Sequence, residues 1–566
     1  MNHFNYKKYK RYEPIKLIDR TWPNNTITKA PIWCSVDLRD GNQALEIPMS
    51  LEQKIDFFNY LVNIGFKEIE IGFPAASDTE FEFTRTLIEK NLIPDDVVVQ
   101  VLTQARDPII EKTFEALEGI KKAIVHVYNS TSTLQRNVVF NASKDEVKKI
   151  AISGAEKLKY MAQKYGKEKF IFQYSPESFT GTEVDYAVEV CNAVIDIWKP
   201  TKDNKVIINL PATVEMTTPN IYADQIEYVC RNIKNRDNII ISLHTHNDRG
   251  TAIAASELGL LAGADRIEGT LFGNGERTGN ADITALALNM FTQGINPYLD
   301  FSNINEAIET YEKSTHMSIH KRQPYAGELV YTAFSGSHQD AIHKGLEKIK
   351  ENSEIWEVPY LPIDPFDVGR NYDPVIRINS QSGKSGSAYI LKTNYGLNIP
   401  KNMQQHFGNL VTKISDEKNQ ELSPKDLYEL FCNQYVNIHS PIKLINFKEI
   451  FDNNTNLEFV IDFENEIEII NSVGKGLLEA FCKGLITRFD LHFEITDYME
   501  HSLSNSTHSK AITYLQIKYK DQFIYGSGIS NSIAKSSIYS VLSCFNKILI
   551  FLNKNSKFSI DKNIKF

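Results

Sequence analysis

The sequence predicts an α/β fold: a closed (β/α)8 barrel of the TIM type, then linker subdomains, then a C-terminal α+β module with an internal duplication. Three observations predict it. Eight short β-branched runs alternate with longer amphipathic stretches between Pro31 and about Thr270. Polar and ionisable residues collect at one end of those runs. Beyond about Leu430, a pattern of strand, strand, Gly-x-Gly and helix occurs twice.

Taken in order, the first run is IWCSVD (32–37), and SLEQKIDFFNYLVNIG is the helix after it. There Ile55, Phe58, Tyr60, Leu61 and Val62 make an apolar face, Ser50 is placed to cap the start, and Gly65 to stop the end. KEIEIGF (67–73), VVVQVLT (97–103) and KAIVHVY (122–128) are runs two to four. DEVKKIAISGAEKLKYMAQKYG has helical periodicity and leads into KFIFQYS (169–175). KVIINLP (205–211), NIIISLHTH (238–246) and ADRIEGT (264–270) complete the eight. Strands separated by helices of this length pair in parallel. Eight such units by about Thr270 match the count of a closed barrel. An open doubly wound sheet stays the alternative, because a count does not prove closure.

A barrel of this kind keeps its chemistry at the C-terminal ends of its strands. Those ends carry Arg39 and Asp40 after strand 1, Ser175 and Glu177 after strand 5, and Thr213 after strand 6. His244 and His246 follow on strand 7, and Asn274, Glu276 and Asn280 come after strand 8. Residues two apart on a strand share a face, so the histidines of HTHND can turn to one ion. His-x-His alone fits a pair of polar-network histidines equally well; Asp40 shifts the balance. Only strand 8 separates strands 1 and 7 in a closed barrel, so a carboxylate and two imidazoles converge and leave positions for a substrate. Magnesium, manganese and zinc stay open as the metal, with magnesium first. Arg39 suits a carboxylate or a developing oxyanion, and Glu177 a general base or its orienter. A surface ion pair and a solvated acid are the plain readings of these two. In FGNGERTGN, residues Gly273, Asn274, Gly275 and Glu276 suit the phosphate-bearing tail of a cofactor such as coenzyme A, and a simple turn is the plain alternative.

The chain has 566 residues, too many for one domain, and two or three are expected. A 42% hydrophobic content suffices for a large core, and a net charge of −9 argues against a broad basic surface and so against nucleic acid as a partner. The cysteines form no C-x-x-C pair, which fits reduced thiols. The basic start MNHFNYKKYKRYEPIKL lacks the apolar core of a secretory signal. No apolar run reaches about 20 residues, so no membrane span is expected. The expected setting is cytoplasmic.

WEVPYLPIDPFDVGRNYDPVIRINSQSGKSG is rich in Pro, Gly and Asp and reads as a loop-heavy linker. Beyond it lie the two similar stretches, EFVIDFENEIEIINSVGKGLLEAFCKGL with Gly474 and Gly476, and YLQIKYKDQFIYGSGISNSIAKSSIYSVLSCFNKI with Gly526 and Gly528. Each Gly-x-Gly follows a hairpin, not a βαβ unit, so nucleotide binding is not expected there. The expected boundaries are an arm over 1–30, the barrel over 31–305, linker subdomains over 306–430 and the C-terminal domain over 431–566.

DLRDGNQAL, HTHNDRGTA, GTLFGNGERTGN and VIRINSQSGKSG together resemble the 2-isopropylmalate synthases in their longer form, from about Tyr12 to the C-terminus. The chain has Glu46-Ile47-Pro48-Met49 where that family usually continues IDPM. The resemblance implies a Claisen condensation: acetyl-CoA adds to 3-methyl-2-oxobutanoate, and thioester hydrolysis gives 2-isopropylmalate and CoA on the way to leucine. It implies that Asp40, His244, His246 and Asn280 are the divalent-metal set. Arg39 is then the partner of the keto oxygen, and Thr213 a contact of the substrate carboxylate. It points to His338 and Tyr372 for removal of the acetyl proton, reaching the site from the partner subunit of a homodimer, with Glu177 orienting the histidine. Leu102 and Ser175 are candidates for the pocket wall. The C-terminal domain is implied to sense leucine as an inhibitor. The rivals are a sister condensing enzyme of the citramalate or homocitrate type and a non-catalytic leucine-binding barrel.

Overall fold

The computed structural model describes residues 5–333, 336–352, 355–372, 384–418, 422–503 and 509–555. Most of the motif VIRINSQSGKSG, at 375–383, lies outside the described residues. The chain forms two compact units, Met1–Tyr331 with Ile363–Tyr372, and Thr332–Pro362 with Asp373–Phe566.

In the first unit all eight expected strands form. They are β1 (Ile32–Ser35), β2 (Glu68–Gly72), β3 (Val98–Gln104), β4 (Ala123–Ser130), β5 (Phe170–Glu177), β6 (Val206–Ala212), β7 (Ile239–Thr245) and β8 (Arg266–Gly269). They close in sequence order, β1 pairing with β8 in parallel with Ile32 opposite Arg266 and Ser35 opposite Gly269. That pairing excludes the open sheet.

Helix Leu51–Asn63 starts with a reciprocal Ser50–Gln53 capping box. It stops before Gly65, where a Cβ would stand 2.6 Å from the Tyr298 carbonyl oxygen. Its buried face is Phe57, Phe58, Tyr60 and Leu61 with Lys54. Ile55 and Val62 are half-buried, so the stripe is rotated from the expected one. Helix Lys144–Tyr165 begins with the same device, built from Ser143 and Glu146.

The lumen departs from the usual filling of branched apolar side chains. Glu70, Gln100, His126, Gln173, Arg266 and Glu268 are all buried. The Gln100 amide donates to Glu70 (2.5 Å) and Glu268 (3.0 Å), and the Gln173 amide to Glu268 (2.7 Å). Arg266 donates to Glu68 (2.6 Å), and to Glu268, Ser242 and Gln100 (each 2.8 Å). Buried charge is tolerated here because nearly every lone pair and proton has a partner.

The second unit contains two three-stranded antiparallel sheets, each followed by a helix. One has the order β11-β10-β9, from β9 (Ile442–Asp452), β10 (Asn454–Phe463) and β11 (Glu466–Gly474), with helix Leu477–Phe489. The other has the order β12-β13-β14, from β12 (Glu494–Ser502), β13 (Ala511–Tyr519) and β14 (Gln522–Ser530), with helix Ile533–Asn555. The duplication is therefore real and one strand longer per copy than the sequence pattern suggests. Its glycines serve packing: a Cβ on Gly528 would lie 1.9 Å from the Ser536 carbonyl oxygen, so the helix crosses directly over the strand.

One described helix bears on the expectation of no membrane span. Residues Ile533–Asn553 are long and apolar enough to cross a membrane, which a search for unbroken apolar runs overlooks because serines interrupt the stretch. With 61% of its apolar window buried, this is the core helix of the second copy. Its Ser536 and Ser543 hydroxyls donate to the Gly528 and Ser527 carbonyls.

Candidate active site

The strand ends open into one cavity of about 370 Å³. Its lining includes Arg39, Asp40, Leu102, Ser175, Glu177, Thr213, His244, His246 and Glu276, nine of the residues singled out in the sequence. Asn280 joins them by donating its amide to Asp40 Oδ2 (2.6 Å).

β1 ends in a single π-type turn over Asp37–Gly41, closed by the Gly41 N–H on the Val36 carbonyl (3.1 Å). The turn aims Arg39 and Asp40 into the mouth, and π turns are frequent at functional sites. Arg39 Nη1 binds Asp40 Oδ1 (2.6 Å), and Arg39 Nε binds Glu70. Asp37 points the other way. It accepts the Ser35 hydroxyl (2.8 Å) and the Leu271 N–H (3.0 Å), tying the end of β1 to the loop after β8. Burial pushes its carboxyl up to about 7 despite those donors.

The ligand atoms of Asp40, His244 and His246 lie within 4.8 Å of one another. His244 Nδ1 pairs with Glu268 Oε2 (2.8 Å), which leaves Nε2 for a ligand, the usual way a carboxylate orients a metal-binding imidazole. His246 Nδ1 and Asn280 Oδ1 are buried and have no hydrogen-bond partner among the described residues. His246 turns Nε2 towards Asp40 Oδ2 (3.9 Å), and that nitrogen, the Asn280 oxygen and the carboxylate fit a cation. Burial raises the Asp40 carboxyl, but the Arg39 guanidinium and both histidines outweigh it and hold the group well below the usual range. Burial and the charge of His244 push His246 down to about 4, so its ring is neutral near pH 7. A second cluster, Glu70, His126 and Glu268, is equally tight, but Arg39, Arg266 and Gln100 already supply its cations and donors.

Along the cavity wall, Ser175 Oγ lies 2.7 Å from His126 Nε2 and accepts the Asn209 amide (3.0 Å), while His126 Nδ1 pairs with Glu70 (2.9 Å). Glu177 accepts the Ser130 hydroxyl, and Thr213 Oγ1 accepts the Ser178 N–H (2.9 Å). The glycine-rich loop folds over the site: a Cβ on Gly275, at φ 152°, would meet Asn280 Nδ2 at 2.1 Å and Asp40 Oδ2 at 3.0 Å. Gly273, Asn274 and Gly275 also border a neighbouring cavity of about 250 Å³. The helix after the loop, Ile283–Phe291, is capped by the Asp282 carboxylate, so its N-terminus is already matched by an anion. Gly275→Ala should keep the fold and lower kcat/KM by about a hundredfold through displacement of the Asp40–Asn280 pair. Full activity with an unchanged melting curve would show that the loop tolerates the methyl group.

His338 and Tyr372 are not among the residues that line this cavity. His338 is exposed on helix Gly336–Asn352 of the second unit, its ring stacked on Tyr360 at 4.0 Å. Tyr372 is half-buried at the end of the Ile363–Tyr372 segment. Sequence reasoning missed Glu70, His126, Asn209, Glu268 and Arg277. Glu68-x-Glu70 and Arg266-x-Glu268 did carry a signal: charges repeating every second residue inside apolar strands face one side, here the lumen.

Barrel and rim define a class of divalent-metal enzymes, and residues 30–310 match the HMGL-like family. Residues 328–392 match the alpha-isopropylmalate synthase post-catalytic domain-like family, and 421–549 the LeuA allosteric (dimerisation) domain. The chain is 58% identical to the 2-isopropylmalate synthase of Acetoanaerobium sticklandii, over 96% of this chain and 97% of that protein. It is 56% identical to that of Clostridium acetobutylicum (96% and 99%) and 58% to that of Helicobacter hepaticus (92% and 96%). The chain belongs to the 2-isopropylmalate synthase family, condensing enzymes of leucine biosynthesis whose chemistry implies a divalent metal and acetyl-CoA.

Proposed function

We propose the following division of labour for the condensation of acetyl-CoA with 3-methyl-2-oxobutanoate and the hydrolysis that yields 2-isopropylmalate and CoA. One observation carries it: the Asp40–His244–His246 cluster, tight and buried, beside Arg39. With Asn280, these residues hold the divalent cation, magnesium first, with manganese and zinc served by the same donors. When bound, the cation supplies Lewis-acid polarisation of the keto oxygen. Arg39 commits Nε to Glu70 and Nη1 to Asp40, so Nη2 is left to donate to that oxygen as negative charge develops. The Thr213 hydroxyl, accepting from Ser178, keeps its own proton for the substrate carboxylate. Leu102 and Ser175 wall the pocket behind the branched carbons. The coenzyme tail runs along Gly273, Asn274, Gly275 and Glu276.

In a homodimer, His338 and Tyr372 serve the barrel of the neighbouring subunit and take the acetyl methyl proton, and Glu177 orients that histidine. The exposed apolar residues Ile467, Ile469 and Val473 along one side of β11 support association between copies. Leucine acts on the C-terminal domain as a feedback inhibitor, and the protein works in the cytoplasm.

Purified protein with acetyl-CoA, Mg²⁺ and a panel of 2-oxo acids should release free thiol fastest with 3-methyl-2-oxobutanoate. Faster release with pyruvate or 2-oxoglutarate would make it a sister condensing enzyme. No release with any acid would leave a leucine-binding barrel without catalysis. Calorimetry should show leucine binding to the full-length protein, and removing residues beyond Leu430 should abolish it; binding that survives the truncation would put the sensor elsewhere.

A further inference from the structure

Arg277 has no part in the roles above, yet it lines the cavity. It occupies a left-handed backbone conformation, φ 56°, in a loop where Phe272 and the glycines at 273, 275 and 279 take the other positive φ values. A non-glycine residue there costs free energy and persists only where its surroundings over-determine it. Here the guanidinium does so. Nε donates to Asp248 Oδ1 (2.7 Å), while Nη2 reaches Asp248 Oδ2 (3.2 Å) and also the carbonyl oxygen of Thr213. Asp248 stands two residues beyond His246, and its Oδ2 also accepts the Glu215 N–H (2.9 Å) from the β6 loop. One side chain therefore joins the loops that follow β6, β7 and β8.

A half-exposed ion pair of this kind contributes little to stability. Its geometry points to another purpose, because the backbone it grips is that of Thr213. We propose that Arg277 is a positioning residue for the 2-oxo acid: it acts through Thr213, fixing the end of β6 so that the hydroxyl meets the substrate carboxylate. This rests on the reading that Thr213 makes that contact. Lysine does not replace it, since one ammonium group cannot span two carboxylate oxygens and a carbonyl in a fixed plane.

The test uses full-length, metal-loaded enzyme, four single variants (Arg277→Gln, Arg277→Lys, Asp248→Asn and Thr213→Val) and one double variant. Two quantities are read, KM for each substrate and, by calorimetry without acetyl-CoA, Kd for 3-methyl-2-oxobutanoate. Arg277→Gln should raise KM and Kd for the 2-oxo acid about tenfold and change KM for acetyl-CoA less than about twofold. Arg277→Lys should stay defective, and Asp248→Asn should follow the same pattern more weakly. Arg277→Gln combined with Thr213→Val should be no worse than Thr213→Val alone, the non-additivity of residues that act as one. Equal rises in both KM values, wild-type behaviour of Arg277→Lys, or full additivity would overturn the proposal. If Thr213→Val shifts Kd and Arg277→Gln does not, the latch fails and the Thr213 reading stands. If neither shifts it, both fall.

Discussion

His246→Ala should turn over at less than about a thousandth of the parent rate while keeping a folded barrel. The imidazole is buried in the mouth, where Nδ1 has no partner among the described residues and Nε2 lies 3.9 Å from Asp40 Oδ2. No described hydrogen bond of the barrel ends on it, so its removal opens space on the solvent side of the lumen and leaves the ion-pair floor intact. What disappears is one of the nitrogen donors of the cluster, and with it most of the affinity for a divalent ion. Calorimetry with Mn²⁺ reads that loss directly, without turnover, and the melting curve reads the fold. A variant that binds Mn²⁺ as tightly as the parent would remove His246 from the metal set. The pH dependence gives a second check. Burial, aided by His244, holds this imidazole at about 4 against an ordinary 6.5. A depressed pKa means the folded state binds fewer protons than the unfolded one between those values. The stability it contributes is therefore complete above about 6.5 and lost as pH falls towards 4. The metal-free parent should show that slope, and His246→Ala should lack this part of it.

The barrel strands were legible because both faces of each are covered, so Val and Ile accumulate in runs such as VIINL and NIIISL. Closure was not legible, since nothing in β1 names β8 as its neighbour; the register from Ile32 to Arg266 exists only in three dimensions. Asp40, His244 and His246 could be found because rim positions follow from strand ends. The network beneath them could not, because its pairs cross the lumen: Gln100 on β3 reaches Glu268 on β8, and Arg266 reaches back to Gln100. The third strand of each C-terminal sheet escaped for a different reason. β9 and β12 are largely exposed, with Lys and Glu at inward and outward positions of IKLINFKEIFD, so neither shows clean alternation.

Arg266→Met should be the most destabilising single substitution in the lumen, costing about 3–5 kcal/mol. The side chain is fully buried and holds two carboxylates, Glu68 at 2.6 Å and Glu268 at 2.8 Å. Methionine has similar length and no charge. Glu268 would keep its amide donors Gln100 and Gln173 and its partner His244, but lose the cation that offsets burial. Burial would raise Glu268, and the Arg266 charge is the main influence against it. Without that charge the carboxyl should rise towards its ordinary range, and its hold on His244 should weaken. Stability and metal binding should thus fail together, which separates this variant from His246→Ala. A loss of that size corresponds to roughly 10 °C in the melting transition of a barrel this large. Adding Glu268→Gln to Arg266→Met should recover part of it, because the stranded carboxylate is then gone. If Arg266→Met melts within a degree or two of the parent, the apolar shell outside the strands, not the buried ion pairs, holds the barrel closed.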